Sequence, residues 1–323
     1  MRKSGSNRLQ RVDLAQPLSR VLRDIARRYE LGRLHSSRIF TQGYDDLNVL
    51  LVCERGRYVA KFFNKMKSLG SIEDHVRVQV ALSQRGASVP RILTPSGKRI
   101  VRISGHSQDI CLCVSEFFTG DNFAGRTPER DDIIAVVHFL ATLHTLPLQV
   151  ASNYDSWGTL NLPHEFARKR ALASDETVRL VAPIAENAAD LKFGRARRRV
   201  IHGDLQRKHV LKDSGGHYCI LDFGCIQYSY PIVDLGVFLA LFCLLDTKLT
   251  DAQRMIHDVL DMYLELAPLP APHIALLGPL ILSTWASYLL TADVLLRQGD
   301  RSQQTRQWHR MALTSLRAYE RWS

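Results

Sequence analysis

The spacing of apolar residues predicts strands in the first third of the chain. From residue 38 apolar and polar positions alternate, and Glu54-Arg55-Gly56-Arg57 then reverses the chain. We predict a hairpin of strands over residues 47–53 and 58–63. A further strand is predicted over residues 110–118.

Apolar residues three and four positions apart predict helices in most of the remaining sequence. The first helix follows Pro17 and places four apolar residues on one side and four arginines on the other. Further helices are predicted over residues 72–85, 131–143, 251–266, 273–297 and 302–323. Strand–helix–strand units do not alternate along the chain, so we expect an α+β protein rather than a doubly wound parallel sheet.

The stretch from residue 200 to residue 235 differs from its surroundings because it places acids among apolar, β-branched residues. Asp204 lies in a His-Gly-Asp turn, and Asp222 begins an Asp-Phe-Gly sequence. Two short strands flank Gly215-Gly216, which predicts a hairpin. In a symmetric register this hairpin sets His209 and Asp222 side by side at its open end. Carboxylates in such surroundings need cations or hydrogen-bond donors to offset their desolvation.

These groups match the requirements of phosphoryl transfer. One Asp accepts the proton of a substrate hydroxyl, while a second Asp and a neighbouring ligand hold a metal ion on the nucleotide phosphates. Asp204, His209 and Asp222 are therefore candidates for one site.

The order of motifs resembles that of the aminoglycoside-phosphotransferase-like kinases, which include choline-kinase and homoserine-kinase relatives. The matching residues are His202-Gly203-Asp204, His209, Asp222-Phe223 and Pro231-Ile232-Val233-Asp234-Leu235. The resemblance implies a protein-kinase-like fold of two lobes. It also implies transfer of the γ-phosphoryl group of ATP or GTP to a hydroxyl of a small molecule, with Mg²⁺ or Mn²⁺.

The same resemblance implies roles for individual residues. Asp204 is expected to be the base, His209 and Asp222 the metal ligands, and His202 and Asp234 the supports of the catalytic loop. The family usually has Asn at the position of His209, although the macrolide phosphotransferases look similar here and also carry His. An imidazole suits zinc, copper or iron better than magnesium.

The first lobe supplies the expected nucleotide contacts. Lys61 lies in an otherwise apolar strand and resembles the strand Lys that contacts nucleotide phosphates in kinase-like folds. The resemblance also places Gly43 in the turn that is expected to cover the phosphates. The family pairs the strand Lys with a helix Glu, and Glu73 is the candidate, although His75 occupies the position found by counting back from Gly86. The backbone from Glu116 to Phe118 is expected to bind the purine.

The expected division is a tail and helix over residues 1–37, a nucleotide-binding lobe over 38–118 and a helical acceptor-binding lobe over 119–323. The chain has 43 basic and 32 acidic residues, a net charge of +11. That charge suits a nucleotide, and nucleic acid is the less favoured partner. Six scattered cysteines, without metal-ligand spacing, indicate reduced core thiols in a cytoplasmic protein. We expect no membrane span.

Two other functions fit the same residues. One is a protein Ser/Thr kinase of the bacterial stress-kinase type, which phosphorylation of itself or of a generic protein would reveal. The other is a nucleotide-binding pseudokinase that acts as a scaffold. His209 favours this second alternative, whereas Asp204, Asp222 and Lys61 favour an enzyme.

Overall fold

The computed structural model describes residues 12–40, 46–151, 154–245 and 247–319. The chain divides into two compact units. The first runs to Asp121 and takes in Leu211–Leu221, and the second comprises Asn122–Val210 and the chain from Asp222 onward. The division expected from the sequence ended the first lobe at residue 118 and left 211–221 in the helical lobe.

The first unit is built on a five-stranded antiparallel sheet with the strand order β1-β2-β3-β5-β4. Its strands are β1 (Leu34–Ile39), β2 (Leu47–Cys53), β3 (Gly56–Phe62), β4 (Val101–Ile103) and β5 (Ile110–Glu116). Strands β2 and β3 form the predicted hairpin, and their register runs from Leu47 opposite Phe62 to Cys53 opposite Gly56. The predicted strand over 110–118 is β5.

Two helices accompany this sheet. Helix α1 (Leu18–Arg28) buries the four apolar residues that the sequence assigned to its inner face, and they share one hydrophobic core with the sheet. Helix α2 (Leu69–Gln84) begins three residues before the predicted start. The reason is Ser68, whose side chain accepts a hydrogen bond from Ser71 N at 3.2 Å and caps the helix.

The predicted Gly-Gly hairpin consists of β8 (Val210–Lys212) and β9 (Tyr218–Ile220), which follow the short strands β6 (Asp121–Asn122) and β7 (Arg199–Ile201) along the chain. Its turn closes where Asp213 N donates to His217 O at 3.0 Å. The Asp213 carboxylate also accepts from Gly215 N at 2.8 Å and from His217 N at 2.9 Å. Both strands are therefore set by local turn chemistry, which is why the sequence predicts them well.

The second unit is mostly helical. A two-stranded antiparallel pair, β7 with β10 (Gln227–Ser229), carries the loop that follows residue 201. The helices are α3 (Arg130–His144), α4 (Leu162–Lys169), α5 (Asp175–Ala189), α6 (Pro231–Phe238), α7 (Leu249–Leu266), α8 (Ala271–Ile274), α9 (Leu277–Arg297) and α10 (Gln303–Tyr319). A sheet-based first unit and a helical second unit confirm the predicted α+β class.

Helix α9 forms the centre of the second unit, and it contacts α5, α6 and α10. Among the described residues, one segment, Ala271–Arg297, is long and apolar enough to cross a membrane by length and composition alone. Its most apolar window is 67% buried inside the structure. Burial of this kind is what a core helix requires.

Helix α6 continues into a single π-helical turn, Leu239–Cys243. Two backbone carbonyls of this turn accept hydrogen bonds from buried side chains. Ala240 O accepts from Trp285 Nε1 and Phe242 O accepts from Arg207 Nε, both at 2.9 Å. The turn therefore ties α9 and the loop after β7 to the end of α6.

Candidate active site

The loop after β7 is held in place by the first turn of α6. Asp234 lies in that turn with its side chain fully buried. Its carboxylate accepts hydrogen bonds from His202 N at 2.6 Å and Gly203 N at 2.8 Å. His144 Nε2 donates to the same carboxylate at 3.1 Å, while His144 Nδ1 lies 2.7 Å from the hydroxyl of Tyr263.

These donors keep Asp234 ionised. Burial alone would raise its pKa, but the hydrogen bond and charge of His144, the nearby His202 and the Gly203 amide together hold the pKa below its ordinary value. A carboxylate that is charged and fully bonded can therefore anchor the turn. The sequence assigned no chemistry to His144, and its position here is that of a structural partner.

Gly203 makes the turn possible. Its backbone has a φ of +80°, which L side chains rarely adopt, and a Cβ at this position would lie 2.4 Å from the carbonyl oxygen of Cys225. The turn therefore needs glycine for both its backbone conformation and its close approach to Cys225.

Asp204 follows this glycine, and its side chain is 20% exposed. Its Oδ1 atom accepts hydrogen bonds from the Tyr288 hydroxyl and from Gln206 Nε2, both at 2.6 Å. Its Oδ2 atom lies 3.7 Å from His209 Nδ1. Burial, aided by the negative charge of Asp222, raises the pKa of Asp204, although Lys208 and the Tyr288 hydroxyl act in the opposite direction. This carboxylate is therefore more basic than an ordinary Asp.

His209 and Asp222 are brought together at the base of the hairpin, as the symmetric register predicts. His209 Nε2 lies 3.5 Å from Asp222 Oδ2. His209 Nδ1 is 2.7 Å from the carbonyl oxygen of Asp204, which can only accept, so the proton sits on Nδ1. The lone pair of a neutral His209 is consequently on Nε2, the atom that faces Asp222.

This pair fits a divalent cation that also has ligands from a nucleotide. Asp222 has a φ of +66° and its side chain is 42% exposed, so its carboxylate remains accessible. Within the described ranges, no cluster of three or more His, Cys, Asp or Glu side chains could hold a metal ion by itself. One nitrogen and one carboxylate suit an ion that takes its other ligands from phosphate oxygens and water.

In the first unit, Lys61 forms an ion pair that the sequence did not predict. Lys61 Nζ lies 3.2 Å from Asp46 Oδ2, and Lys67 Nζ lies 2.9 Å from the same oxygen. Burial would raise the pKa of Asp46, but the two lysines and the Asn64 amide lower it. The Lys61 side chain is 16% exposed and hence lies inside the unit rather than at a solvated edge.

The sequence did not assign Asp46 to Lys61, and the expected pairing of Lys61 with Glu73 stays a prediction. Asp46 precedes β2, in which Asn48 lies opposite Lys61, so the acid is already next to the lysine. Glu73 lies on the exposed side of α2. His75 is buried and packs edge-on against Phe63, with ring centroids 5.2 Å apart. The position of Gly43 lies outside the described residues.

The segment from Glu116 to Phe118 ends β5. The amides of Glu116 and Phe117 donate to the carbonyls of Arg91 at 3.0 Å and Arg57 at 3.1 Å. The Glu116 carboxylate forms an ion pair with Arg91. Among the described residues, the Phe118 N–H donates no hydrogen bond. Of the three backbone amides expected to bind the purine, the one at Phe118 therefore remains available.

Three residues that contact Asp204 or Lys61 were not assigned a role in the site from the sequence. They are Asp46, Gln206 and Tyr288. Gln206 could have been suspected, since it lies two residues after Asp204. Tyr288 comes from a helix more than eighty residues away, and no local spacing relates it to the loop.

The sequence matches the profile of the phosphotransferase enzyme family, abbreviated APH, over residues 36–269, more than half of the chain. The chain therefore belongs to this family. It is a phosphotransferase that acts on hydroxyl groups, a kinase with a kinase-like fold. A search of curated proteins finds no match.

Several solved structures share the fold. A microcompartment-associated aminopropanol kinase is 16% identical, with a TM-score of 0.69 over 94% of this chain and 97% of that one. An amicoumacin kinase in complex with AMP-PNP and Ca²⁺ is 15% identical, with a TM-score of 0.70 over 98% and 96%. A macrolide 2'-phosphotransferase from Brachybacterium faecium is 15% identical, with a TM-score of 0.55 over 91% and 97%.

Proposed function

We propose that this protein transfers the γ-phosphoryl group of ATP or GTP to a hydroxyl of a small molecule. Asp204 is the base, His209 and Asp222 bind the metal ion, and Lys61 contacts the nucleotide phosphates. His202 and Asp234 hold the catalytic loop. The observation that carries this proposal is the Asp204 carboxylate, which has a raised pKa and lies beside the His209–Asp222 pair.

Asp204 can take the proton of the acceptor. Its Oδ1 atom is engaged by two donors, and Oδ2 remains for the acceptor hydroxyl. A raised pKa makes the carboxylate a better proton acceptor as the hydroxyl oxygen attacks phosphorus. The proton then moves to Oδ2, while the bond from the γ-phosphorus to the bridging oxygen breaks and the nucleoside diphosphate leaves.

The metal ligands are His209 Nε2 and Asp222 Oδ2. When bound, Mg²⁺ or Mn²⁺ neutralises the charge on the β- and γ-phosphate oxygens. His209 presents a lone pair on Nε2 because the Asp204 carbonyl holds the proton on Nδ1. The hydrogen bond between these residues therefore connects the metal ligand to the base.

The acceptor class is proposed from the relatives. The three similar structures are named for kinases of aminopropanol, amicoumacin and a macrolide, all of which are small molecules. The amicoumacin kinase contains AMP-PNP, an ATP analogue, together with a divalent cation. These names favour a small-molecule hydroxyl over a protein Ser or Thr, and they favour ATP as the donor.

The test is nucleotide turnover by the purified protein with ATP or GTP, in Mg²⁺ and Mn²⁺, with a panel of hydroxyl compounds that includes amino alcohols, aminoglycosides and macrolides. We expect acceptor-dependent turnover. Asp204→Asn should lower turnover at least 100-fold while nucleotide affinity stays within about twofold, because the base does not bind the nucleotide.

The same substitution at Asp24 of α1, whose side chain is 47% exposed, is the control and should leave turnover unchanged. Normal turnover of Asp204→Asn would remove the base assignment. Nucleotide binding by the wild-type protein without turnover in either metal ion would favour the scaffold instead.

A further inference from the structure

Three side chains form a closed set of hydrogen bonds around one oxygen of Asp204. The Tyr288 hydroxyl and Gln206 Nε2 each lie 2.6 Å from Asp204 Oδ1. Gln206 Nε2 also lies 3.1 Å from the Tyr288 hydroxyl. Every pair in this group of three is therefore within hydrogen-bonding distance.

The donors and acceptors of this group are mutually compatible. The amide of Gln206 has two hydrogens, one for Asp204 Oδ1 and one for the Tyr288 oxygen. The single hydroxyl hydrogen of Tyr288 is then directed to Asp204 Oδ1. No hydrogen is shared and none of these bonds excludes another, so the carboxylate is fixed through one oxygen.

The second oxygen of Asp204, Oδ2, remains available to accept the proton of the acceptor hydroxyl. Oδ2 lies 3.7 Å from His209 Nδ1, which is beyond hydrogen-bonding distance. The hydrogen of that nitrogen is directed to the Asp204 carbonyl, 2.7 Å away, and not to the carboxylate. Binding of Oδ1 thus determines where Oδ2 points.

Tyr288 itself is rigidly placed. It lies on α9 with 6% of its surface exposed. Its ring packs edge-on against Trp157 with centroids 5.2 Å apart, and against Trp308 of α10 with centroids 6.1 Å apart. Because two aromatic rings hold the tyrosine ring, the hydroxyl orients the carboxylate and not the reverse.

We propose that Tyr288 is a positioning residue for phosphoryl transfer. It holds Asp204 Oδ1, with the help of Gln206, so that Oδ2 faces the acceptor hydroxyl. This inference rests on the proposed function, and it adds a residue from a distant helix to the machinery around the base. Small displacements of a reacting group lower rates steeply, so the loss of one holding contact should be measurable.

The experiment compares Tyr288→Phe with the wild-type protein in nucleotide turnover, using water as acceptor if no hydroxyl compound has been found. We expect kcat to fall about 10- to 100-fold with the KM for the nucleotide changed less than about twofold. Tyr319→Phe is the matched control, because it removes the hydroxyl of another buried tyrosine, which lies 3.4 Å from the carbonyl of Thr247. It should keep the wild-type kcat.

A second comparison separates positioning from general loss of structure. In an Asp204→Asn background, Tyr288→Phe should cause no further loss of the residual rate, since it acts through the carboxylate. An unchanged kcat for Tyr288→Phe alone, or an equal further loss in the Asp204→Asn background, would overturn the inference. A wild-type protein without any turnover would instead refute the proposed function, and this inference with it.

Discussion

Two aspartates attached to the same loop have opposite pKa shifts. The pKa of Asp234 is lowered because three donors surround a fully buried carboxylate, whereas the pKa of Asp204 is raised because burial and Asp222 outweigh its donors. Residue type does not distinguish the two, since both are Asp. The environment keeps Asp234 charged, so that it anchors the loop, and makes Asp204 more basic, as the proposed role of base requires.

The raised pKa of Asp204 also affects stability. Below the unfolded pKa, about 3.9, the group is protonated in both states and contributes nothing. Above its raised folded pKa, the charged form is disfavoured in the native state, and the native protein is less stable. We expect Asp204→Asn to raise the thermal midpoint at pH 7 to 8, with a gain that shrinks as the pH falls.

Thermal unfolding across pH 4 to 8, with Asp24→Asn as the control, measures this gain. A gain that grew on acidification would contradict the sign of the shift. Together with the turnover data, the result would establish that Asp204 lowers stability while it supplies activity.

At the scale of elements, the sequence predicted the hairpins, because the residues of their turns determine them. The β2–β3 hairpin follows from its reversal at residues 54–57, and the His209–Asp222 contact follows from the symmetric position of Gly215-Gly216. The Lys61 partner could not be predicted in this way. Glu73 was chosen by its order along the chain, whereas Asp46 comes close to Lys61 through the pairing of β2 with β3, which that order does not reveal.

Substitution of Gly203 tests whether the turn before Asp204 requires glycine. Gly203→Ala should destabilise the protein by more than the roughly 1–2 kcal/mol that a left-handed backbone costs an L-residue, because the new Cβ also meets the Cys225 carbonyl. Turnover should fall as well, since Asp204 is the next residue. Urea unfolding and nucleotide turnover measure the two effects.

Gly216→Ala is the matched control. Gly216 has a similar φ of +83°, and nothing lies within 4 Å of the position of its Cβ. This variant should therefore show the backbone cost alone and keep its turnover. Equal destabilisation by the two substitutions would mean that the close approach to Cys225 is of no consequence.

At the scale of the whole molecule, the chain keeps the family's fold at 15–16% identity to the three compared kinases. The sequence predicted the fold class and family because the motifs around the catalytic loop are short and in fixed order. It could not predict Tyr288, because α9 reaches Asp204 only through the packing of the helical unit.

The proposed role of His209 as a metal ligand gives a prediction for the whole enzyme. Imidazole nitrogen is a poor ligand for Mg²⁺ and a better one for Mn²⁺. His209→Asn supplies an amide oxygen instead, so we expect it to lower the ratio of turnover in Mn²⁺ to turnover in Mg²⁺. Nucleotide-induced thermal shifts in each metal ion should change in the same direction. An unchanged ratio would remove His209 from the metal site.

The π-helical turn at Leu239–Cys243 affects how this chain should be aligned with its relatives. Such a turn holds one residue more than an α-helical turn, which advances every later position by about 100° around the helix axis. The extra residue belongs to the same turn whose carbonyls, Phe242 O and Ala240 O, accept hydrogen bonds from Arg207 and Trp285. An alignment that assumes an uninterrupted α-helix would pair Phe242 with the wrong residue in any relative without this turn. A gap of one residue should therefore be allowed there.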